Sequence, residues 1–343
     1  MNKEQKVITF GEIMMRLNPM GYYRFLQAEQ WESSYAGGEA NVAVSLVNYG
    51  IGASFITKLP TNELGQAAIN AVRHFGVDTS NVVRGGRRLG LYFVEKGASQ
   101  RPSKVIYDRA NSSISEAQPS DFDWDAIFAE ATWFHFTGIT PALGGELPEI
   151  CLQACQHAKV KGITVSCDLN YRGKLWSKGE AEKTMSSLMP YVDVCIANEE
   201  DASDVFGIHA TGTDVTSGKL DEQGYISVAK QIVDRFGCAK VAITLRGSHS
   251  ASFNSWGGML YDGKEAWFSP RYDIQIVDRV GGGDSFGGGL LYALIVKKSN
   301  QEAINFAVAA SCLKHSIEHD FNLVSIQEVE SLAAGNASGR VQR

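Results

Sequence analysis

The sequence predicts an α/β protein with a central, mostly parallel β-sheet, helices on both faces and a small second group of strands. Three observations indicate this class. From Asp125 onward, short β-type runs alternate with segments of helical spacing, which is typical of parallel sheets covered by helices. Polar residues follow several of these runs, at the edge where such sheets bind ligands. The 35 glycines fall mainly between apolar runs, as expected for many tight connections.

The composition excludes several classes of function. The 343 residues are 44% hydrophobic, enough for a large core, and the net charge of −6 argues against nucleic acid as a partner. The N-terminal residues contain no apolar signal sequence, and the apolar run 290–296 is far too short to span a bilayer. None of the six cysteines forms a C-x-x-C pair, so we expect reduced, buried thiols. The expected location is the cytoplasm, without membrane contact.

The N-terminal third predicts one core strand and further strands that stand apart from the core. Val7–Phe10 is the core strand, and residues 13–31, mixed in pattern and rich in aromatics, favour a pair of strands away from it. Leu89–Glu95 and Lys104–Arg109 are β-type runs separated by a polar loop, and we expect them to pair as a hairpin. Between these groups the pattern predicts a strand at Ser54–Lys58 and a helix at Gly65–Phe75 that ends at Gly76.

The remainder of the chain predicts the parallel sheet and gathers polar residues at one of its edges. Strands are expected at Thr132–Thr137, Ile163–Leu169, Val192–Ala197 and Lys240–Leu245, with helices at Leu147–Lys161 and Tyr225–Phe236. The polar residues at or just after the C-terminal ends of the last three strands are Asp168, Asn170 and Arg172, then Asn198 to Asp201, then Arg246 and Gly247. Because the carboxyl ends of parallel strands share one edge, we expect these residues to surround one site.

A glycine loop near the C-terminus is the strongest functional signal. A short β-type run, Ile274–Val277, precedes Gly281, Gly282, Gly283 and Asp284, and an apolar segment that predicts a buried helix follows. A glycine loop that enters a helix binds phosphate, because its N–H groups and the positive helix end point at the anion. Asp284 is then either a helix cap or a base that takes a proton from a hydroxyl during phosphoryl transfer. A second diglycine, Gly37-Gly38, precedes Asn41 at another predicted helix start.

These residues carry a family resemblance. The loop lacks the G-x-x-x-x-G-K-[ST] and G-x-G-x-x-G motifs, but it resembles the D-T-x-G-A-G-D signature of the PfkB (ribokinase-like) carbohydrate kinases. Asp278, Gly281, Gly283 and Asp284 match, whereas Arg279 replaces Thr and Gly282 replaces Ala. The resemblance implies the ribokinase-like fold in a domain of residues 1–332, with a small β-sheet lid formed by about 13–35 and 87–111. Residues 333–343 are expected to be a flexible tail.

Further strings are similar to 2-keto-3-deoxygluconate kinases. They are 138–143, the segment from Asp168 to Trp176, and 314–322, together with Tyr92, Tyr107 and Arg109. The resemblance implies that Gly37, Gly38, Asn41, Tyr92, Tyr107, Arg109, Arg172 and Asp284 bind the sugar, and that Asp284 and Gly281 to Gly283 are catalytic. Arginine suits a carboxylate, since its fork of donors fits the two oxygens. The sequence leaves open whether Arg109 or Arg172 makes that contact.

The resemblance also implies ATP and Mg²⁺. The nucleotide contacts would come from Asn170, Asn198, Arg246, Gly247, Gly281 and Gly283, and Asn198 to Asp201 resembles the N-x-x-E motif that organises magnesium. Asp201 replaces the Glu of that motif, so its role passes either to Asp201 or to Glu200, through water. A monovalent cation site near the glycine loop stays open.

The predicted function is ATP-dependent phosphorylation of the terminal hydroxyl of a sugar acid, with 2-keto-3-deoxygluconate as the expected substrate. Two alternatives remain at this point. One is another sugar specificity in the same family, such as fructose or 5-keto-2-deoxygluconate. The other is a sugar-acid sensor without turnover. The expected partners are the sugar acid and ATP, with a homo-oligomer formed through the lid.

Overall fold

The structure is a computed structural model that describes residues 5–210 and 222–336. Its strands are β1 (Lys6–Phe10), β2 (Met14–Pro19), β3 (Trp31–Ala36), β4 (Gly52–Ile56), β5 (Lys58–Leu59), β6 (Val83–Arg84), β7 (Gly90–Glu95), β8 (Lys104–Asp108), β9 (Trp133–Thr137), β10 (Thr164–Asp168), β11 (Val194–Asn198), β12 (Lys240–Ser248), β13 (Phe253–Tyr261), β14 (Ala266–Phe268) and β15 (Tyr272–Gln275). Its α-helices are α1 (Gly38–Asn48), α2 (Glu63–Arg73), α3 (Trp124–Ile127), α4 (Ile139–Ala142), α5 (Leu147–Val160), α6 (Lys178–Leu188), α7 (Glu199–Phe206), α8 (Glu222–Phe236), α9 (Gly282–Ile295), α10 (Asn300–Lys314) and α11 (Ile326–Ala333).

The main sheet confirms the predicted α/β class. Within the described residues it has nine strands, and the path across it runs β14-β13-β12-β11-β10-β9-β1-β4, with β15 beside β13. The six strands from β12 to β4 are parallel to one another, whereas β13 is antiparallel to its neighbours β12, β14 and β15. Two large apolar clusters, one on each face, join the sheet to the helices. The carboxyl ends of the parallel strands therefore meet at one edge, as predicted.

A separate small sheet, here called the lid, confirms the second part of the fold prediction. In the part of the chain that the structure describes it has four strands in the order β3-β2-β7-β8. Strands β7 and β8 pair antiparallel, as predicted for the hairpin, and β2 pairs parallel with β7. Side chains alternate across the lid strands, so that Met14, Arg16, Tyr92 and Val94 are buried on one face.

Helices α1 and α9 approach closely because α9 is rich in glycine. A Cβ on Gly288 would lie 2.6 Å from Cβ of Ser45 on α1, and a Cβ on Gly289 would lie 3.1 Å from Cα of Ala307 on α10. Any larger side chain at Gly288 would push α1 and α9 apart. Because α1 and α9 both begin at the same edge of the main sheet, their N-termini come together there.

Two details differ from the sequence prediction. Strand β12 continues to Ser248, so Arg246 and Gly247 lie within it, opposite Trp256 and Ser255 of β13. The run before the glycine loop pairs antiparallel with β13 at the edge of the sheet and ends at Gln275. Residues 337–343 of the predicted tail lie outside the described residues. Among the described residues, no helix has both the length and the apolar character needed to cross a membrane.

Candidate active site

A cavity of about 450 Å³ lies between the lid and the carboxyl edge of the main sheet. Most of the residues singled out in the sequence line it: Gly37, Gly38, Asn41, Tyr92, Tyr107, Arg109, Asn170, Arg172, Asn198, Glu200, Asp201, Arg246 and Gly281 to Asp284. Gly247 is not among the lining residues, because the strand it belongs to alternates and Arg246 takes the side that faces the cavity. Residues scattered over most of the chain thus form one site.

Asp284 occupies the third position of α9 and points toward α1. Its Oδ2 accepts a hydrogen bond of 2.6 Å from Nδ2 of Asn41. Burial raises the pKa of the Asp284 carboxyl to about 6, and the Asn41 hydrogen bond and the charges of Arg172 and Lys314 limit this rise. The helix cap is Gly281 instead, so the capping role considered for Asp284 is wrong. A carboxylate with a pKa near neutrality is suited to general-base chemistry.

The glycine loop presents its backbone to the cavity. Gly281 has φ +81°, a left-handed conformation that favours glycine, and a Cβ there would lie 2.1 Å from the carbonyl oxygen of Asp320. Gly283 faces open space. The first N–H groups of a helix have no partner within it, so the start of α9 offers donors and a positive helix end to an anion.

Gly282 is enclosed by His315, a residue of the 314–322 segment to which sequence reasoning assigned no role in the site. A Cβ on Gly282 would lie 2.5 Å from Cε1 of His315, whose buried ring fills the space that the methyl group of an alanine would occupy. The difference from the family signature at this position therefore has a local cause, since His315 and an alanine at 282 would collide.

The diglycine before α1 allows a close backbone approach. A Cβ on Gly37 would lie 1.8 Å from the carbonyl oxygen of Glu12, and a Cβ on Gly38 would lie 3.5 Å from Oδ1 of Asp284. Glu39, which sequence reasoning missed, links this turn to the end of β9 and to α4. Its Oε1 accepts hydrogen bonds from the N–H and the hydroxyl of Thr137 and from the hydroxyl of Thr140. Burial raises the pKa of Glu39 to about 7.

The two candidate arginines have different partners. Arg109 forms an ion pair with Glu12, with its Nε 2.7 Å from Oε2. Arg172 donates to the carbonyl oxygens of Tyr171, at 2.9 Å, and Asn170, at 3.4 Å. Among the residues whose side chains the structure describes, no carboxylate lies within 4.0 Å of the Arg172 guanidinium. Arg109 is thus already neutralised, whereas Arg172 lines the cavity without a carboxylate in ion-pair contact among the described side chains.

The two tyrosines connect the cavity to the lid. The rings of Tyr92 and Tyr107 stack with centroids 6.0 Å apart, and the Arg109 guanidinium lies 5.3 Å from the centre of the Tyr107 ring. The Tyr92 hydroxyl donates to Oδ2 of Asp320 at 2.8 Å. Tyr92 is therefore tied to the residues below the glycine loop, while Tyr107 is exposed at the mouth of the cavity.

The residues expected to contact nucleotide and metal lie at the ends of β10, β11 and β12. Asn170 has φ +41°, and its N–H donates to Oδ1 of Asp168. Arg246 lies over the ring of Trp256, with 4.9 Å between the guanidinium carbon and the ring centre. Trp256 is buried and lines the cavity, yet sequence reasoning missed it because β13 was not predicted.

Asn198 and Asp201 form the cap of α7. Oδ1 of Asn198 accepts from the N–H groups of Glu200 and Asp201 at 2.8 Å, and the Asp201 carboxylate accepts from the N–H groups of Tyr171, at 3.0 Å, and Asn198, at 3.2 Å. Both oxygens of Asp201 are therefore engaged, whereas Glu200 is exposed at the cavity. In the described part of the chain, no group of three or more His, Cys, Asp and Glu side chains could hold a metal ion.

Comparison with known proteins identifies the family. Residues 4–316 match the model of the pfkB family carbohydrate kinases. The chain is 33% identical to 2-dehydro-3-deoxygalactonokinase of Haloferax volcanii over 334 residues, 97% of this chain and 98% of that protein. It is similar to the crystal structure of 2-dehydro-3-deoxygluconokinase from Thermotoga maritima (TM-score 0.93, 52% identity, 97% and 99% of the two chains). It is also similar to that of a PfkB family carbohydrate kinase from Listeria grayi (TM-score 0.89, 34% identity, 96% and 100% covered). The chain belongs to the PfkB family of carbohydrate kinases.

Proposed function

We propose that this kinase transfers the γ-phosphoryl group of ATP to the terminal hydroxyl of a 2-keto-3-deoxy sugar acid, with 2-keto-3-deoxygluconate (2-dehydro-3-deoxygluconate) as its preferred substrate. One observation carries the proposal: Arg172 lines the same cavity as Asp284 and has no carboxylate partner among the described side chains. The 52% identity to the Thermotoga maritima 2-dehydro-3-deoxygluconokinase supports the gluconate form. The Haloferax volcanii relative makes the C4 epimer, the galactonate, the second candidate.

The chain's own residues account for the transfer step. Asp284 accepts the proton of the attacking hydroxyl, and Asn41 holds its carboxylate in place from α1. The N–H groups at the start of α9 stabilise the negative charge on the transferring phosphoryl group. Because these donors are backbone groups fixed by Gly281 and the first turn of α9, they need little reorganisation when the charge develops.

The sugar acid is held at its other end by its carboxylate. We assign this contact to Arg172, since Glu12 already occupies Arg109. Arg109 then shapes the pocket through its position over Tyr107. A guanidinium that contacts only backbone carbonyl oxygens among the described residues favours an acid over a neutral sugar, which would bring it no negative charge.

The nucleotide and Mg²⁺ fit the remaining part of the cavity. Arg246, Asn170 and Asn198 supply polar contacts for the phosphates. Since Asp201 is engaged by backbone N–H groups, Glu200 is the carboxylate that would hold Mg²⁺, through water. When bound, Mg²⁺ neutralises charge on the phosphates.

ADP formation against a substrate panel tests the proposal. The panel contains 2-keto-3-deoxygluconate, its galactonate epimer, 5-keto-2-deoxygluconate, fructose and ribose. We expect the highest kcat/KM with the first compound and a loss of roughly ten- to a hundredfold in Arg172→Ala, the value of one charge-assisted contact. Equal kcat/KM for fructose or ribose would refute the substrate assignment, and absence of ADP formation with every sugar would favour a sensor.

The lid also favours a homo-oligomer, and we propose that two copies pair through it. Leu17, Leu91, Phe93 and Ile106 lie in register on the face of the lid opposite Arg16 and Tyr92. None of these four is fully buried, and Ile106 is 53% exposed. A contiguous apolar sheet face of this kind marks an interaction surface, and a second lid has the matching apolar face.

A further inference from the structure

Lys314 is a buried cation that has no role in the transfer step described above. It is the last residue of α10, it is fully buried, and its ammonium donates to the carbonyl oxygens of Asp278, at 3.2 Å, and Ile317, at 3.4 Å. Asp278 begins the segment that leads into the glycine loop. Lysine is almost never fully buried unless it is paired, so this position has a specific electrostatic cause.

Lys314 belongs to a buried charge cluster that also contains Arg16, Asp278 and Asp320. Arg16 reaches in from the lid, with Nη2 2.5 Å from Oδ2 of Asp278 and Nη1 2.7 Å from Oδ1 of Asp320. Burial lowers the pKa of Lys314, while the charges of Asp278 and Asp320 act to raise it. Two cations and two carboxylates make the cluster electrically neutral, which limits the cost of burying them.

The buried charge cluster holds the start of the glycine loop. Oδ1 of Asp278 accepts the N–H of Val280 at 3.1 Å, just before the loop. Gly281 lies against the backbone of Asp320, as the 2.1 Å distance from its hypothetical Cβ shows. We propose that the Lys314 ammonium is a built-in cation that positions the glycine loop and, through it, the N–H groups that receive the transferring phosphoryl group.

Two consequences follow from this assignment. Removing the ammonium leaves one cation against two carboxylates beside Asp284, so the loop loses its support and the site gains a negative charge where phosphate must bind. A small cation that enters the vacated space should restore the support of the loop and the neutral charge of the cluster. The complete cluster is already neutral, so the unaltered protein should need no added monovalent cation.

The test compares Lys314→Ala, which opens a space, with Lys314→Met, which fills that space without charge. We expect Lys314→Ala to lose about tenfold or more in kcat, the value of one charge-assisted interaction, and to recover when ammonium or methylammonium chloride replaces tetramethylammonium chloride at constant ionic strength. Lys314→Met should lose a similar amount without recovery. The unaltered protein should turn over equally in potassium and tetramethylammonium chloride.

The inference rests on the proposed kinase reaction, so a second readout avoids the sugar. Calorimetric affinity for a non-hydrolysable ATP analogue with Mg²⁺ should fall in Lys314→Ala and recover with methylammonium, whichever sugar is the substrate. Lys240→Met is the matched control, because Lys240 lies at the start of β12 and binds Asn300; it should keep its turnover and show no amine response. Full activity in a folded Lys314→Met, no amine response in a folded Lys314→Ala, or potassium activation of the unaltered protein would each overturn the inference.

Discussion

The pH dependence of kcat/KM should report the ionisation of Asp284. Burial raises the pKa of this carboxyl to about 6, and only the ionised form can accept the proton of the sugar hydroxyl. Activity should therefore rise with pH through about 6 and level off above it. Below that value the ionised fraction, and with it kcat/KM, should fall about tenfold for each pH unit.

The hydrogen bond from Asn41 offers a way to move this pKa. Its Nδ2 lies 2.6 Å from Oδ2 of Asp284 and favours the ionised carboxylate. In Asn41→Leu, a side chain of similar size without the donor, the loss of about 1.5–3 kcal/mol, at about 1.4 kcal/mol per pKa unit, predicts a shift of about one to two units. The acid limb should move to higher pH by that amount.

Steady-state rates between pH 5 and 9 with the keto acid and saturating ATP measure the shift. The midpoint of the limb reports the pKa even if Asn41→Leu also weakens sugar binding. In Asp284→Asn, kcat should fall about 10²–10⁴-fold and the acid limb near pH 6 should disappear. The control Asp234→Asn, on the exposed surface of α8, should have the same pH profile as the unaltered protein. An unchanged limb in Asn41→Leu, or normal turnover in Asp284→Asn, would refute this role.

Three further predictions concern other parts of the molecule. Arg172→Ala should raise the KM for the keto acid about ten- to a hundredfold while leaving the KM for ATP nearly unchanged. Steady-state kinetics with each substrate varied in turn measure the two constants, and an equal rise in both KM values would contradict the prediction. Gly282→Ala should destabilise the fold by about 1–3 kcal/mol, because its methyl group would lie 2.5 Å from the His315 ring; in thermal melts, adding His315→Ala should relieve the loss. Ile106→Asp in the exposed lid face should give a monomer in light scattering, and an unchanged mass would exclude the lid interface.

The sequence predicted those strands and helices whose residues show a clear hydrophobic period over a short segment. Alternation of strands and helices after residue 125 predicted the parallel sheet, and two short β-type runs predicted the β7–β8 hairpin, as the structure confirms. Strand β13 was missed. Its run 253–261 contains two adjacent glycines, Gly257 and Gly258, which weaken a strand pattern. Gly258 lets helix α10 come close, since a Cβ there would lie 2.8 Å from Val308.

The candidate site likewise has features that short sequence segments predict and contacts that they do not. Glycines and polar residues at strand ends could be read from the sequence, because each follows a recognisable element. The sequence could not predict that Glu12 pairs with Arg109, nor could it predict the buried charge cluster. Their members are far apart in the chain, and an isolated Arg16 or Lys314 looks like an ordinary surface residue until the tertiary structure buries it. The choice between Arg109 and Arg172 depends on that pairing, so it became possible only with the structure.

The ion pair between Arg16 and Asp320 also constrains the order in which the protein forms. Its members are separated by 304 residues, so on a ribosome that adds about 5–20 residues per second Arg16 emerges roughly 15–60 s before its partner. During this interval the lid strand β2 carries a charge that cannot yet be buried. The lid can therefore settle against the main sheet only after Asp320 has been synthesised, so catalytic competence should arise late in the formation of the protein.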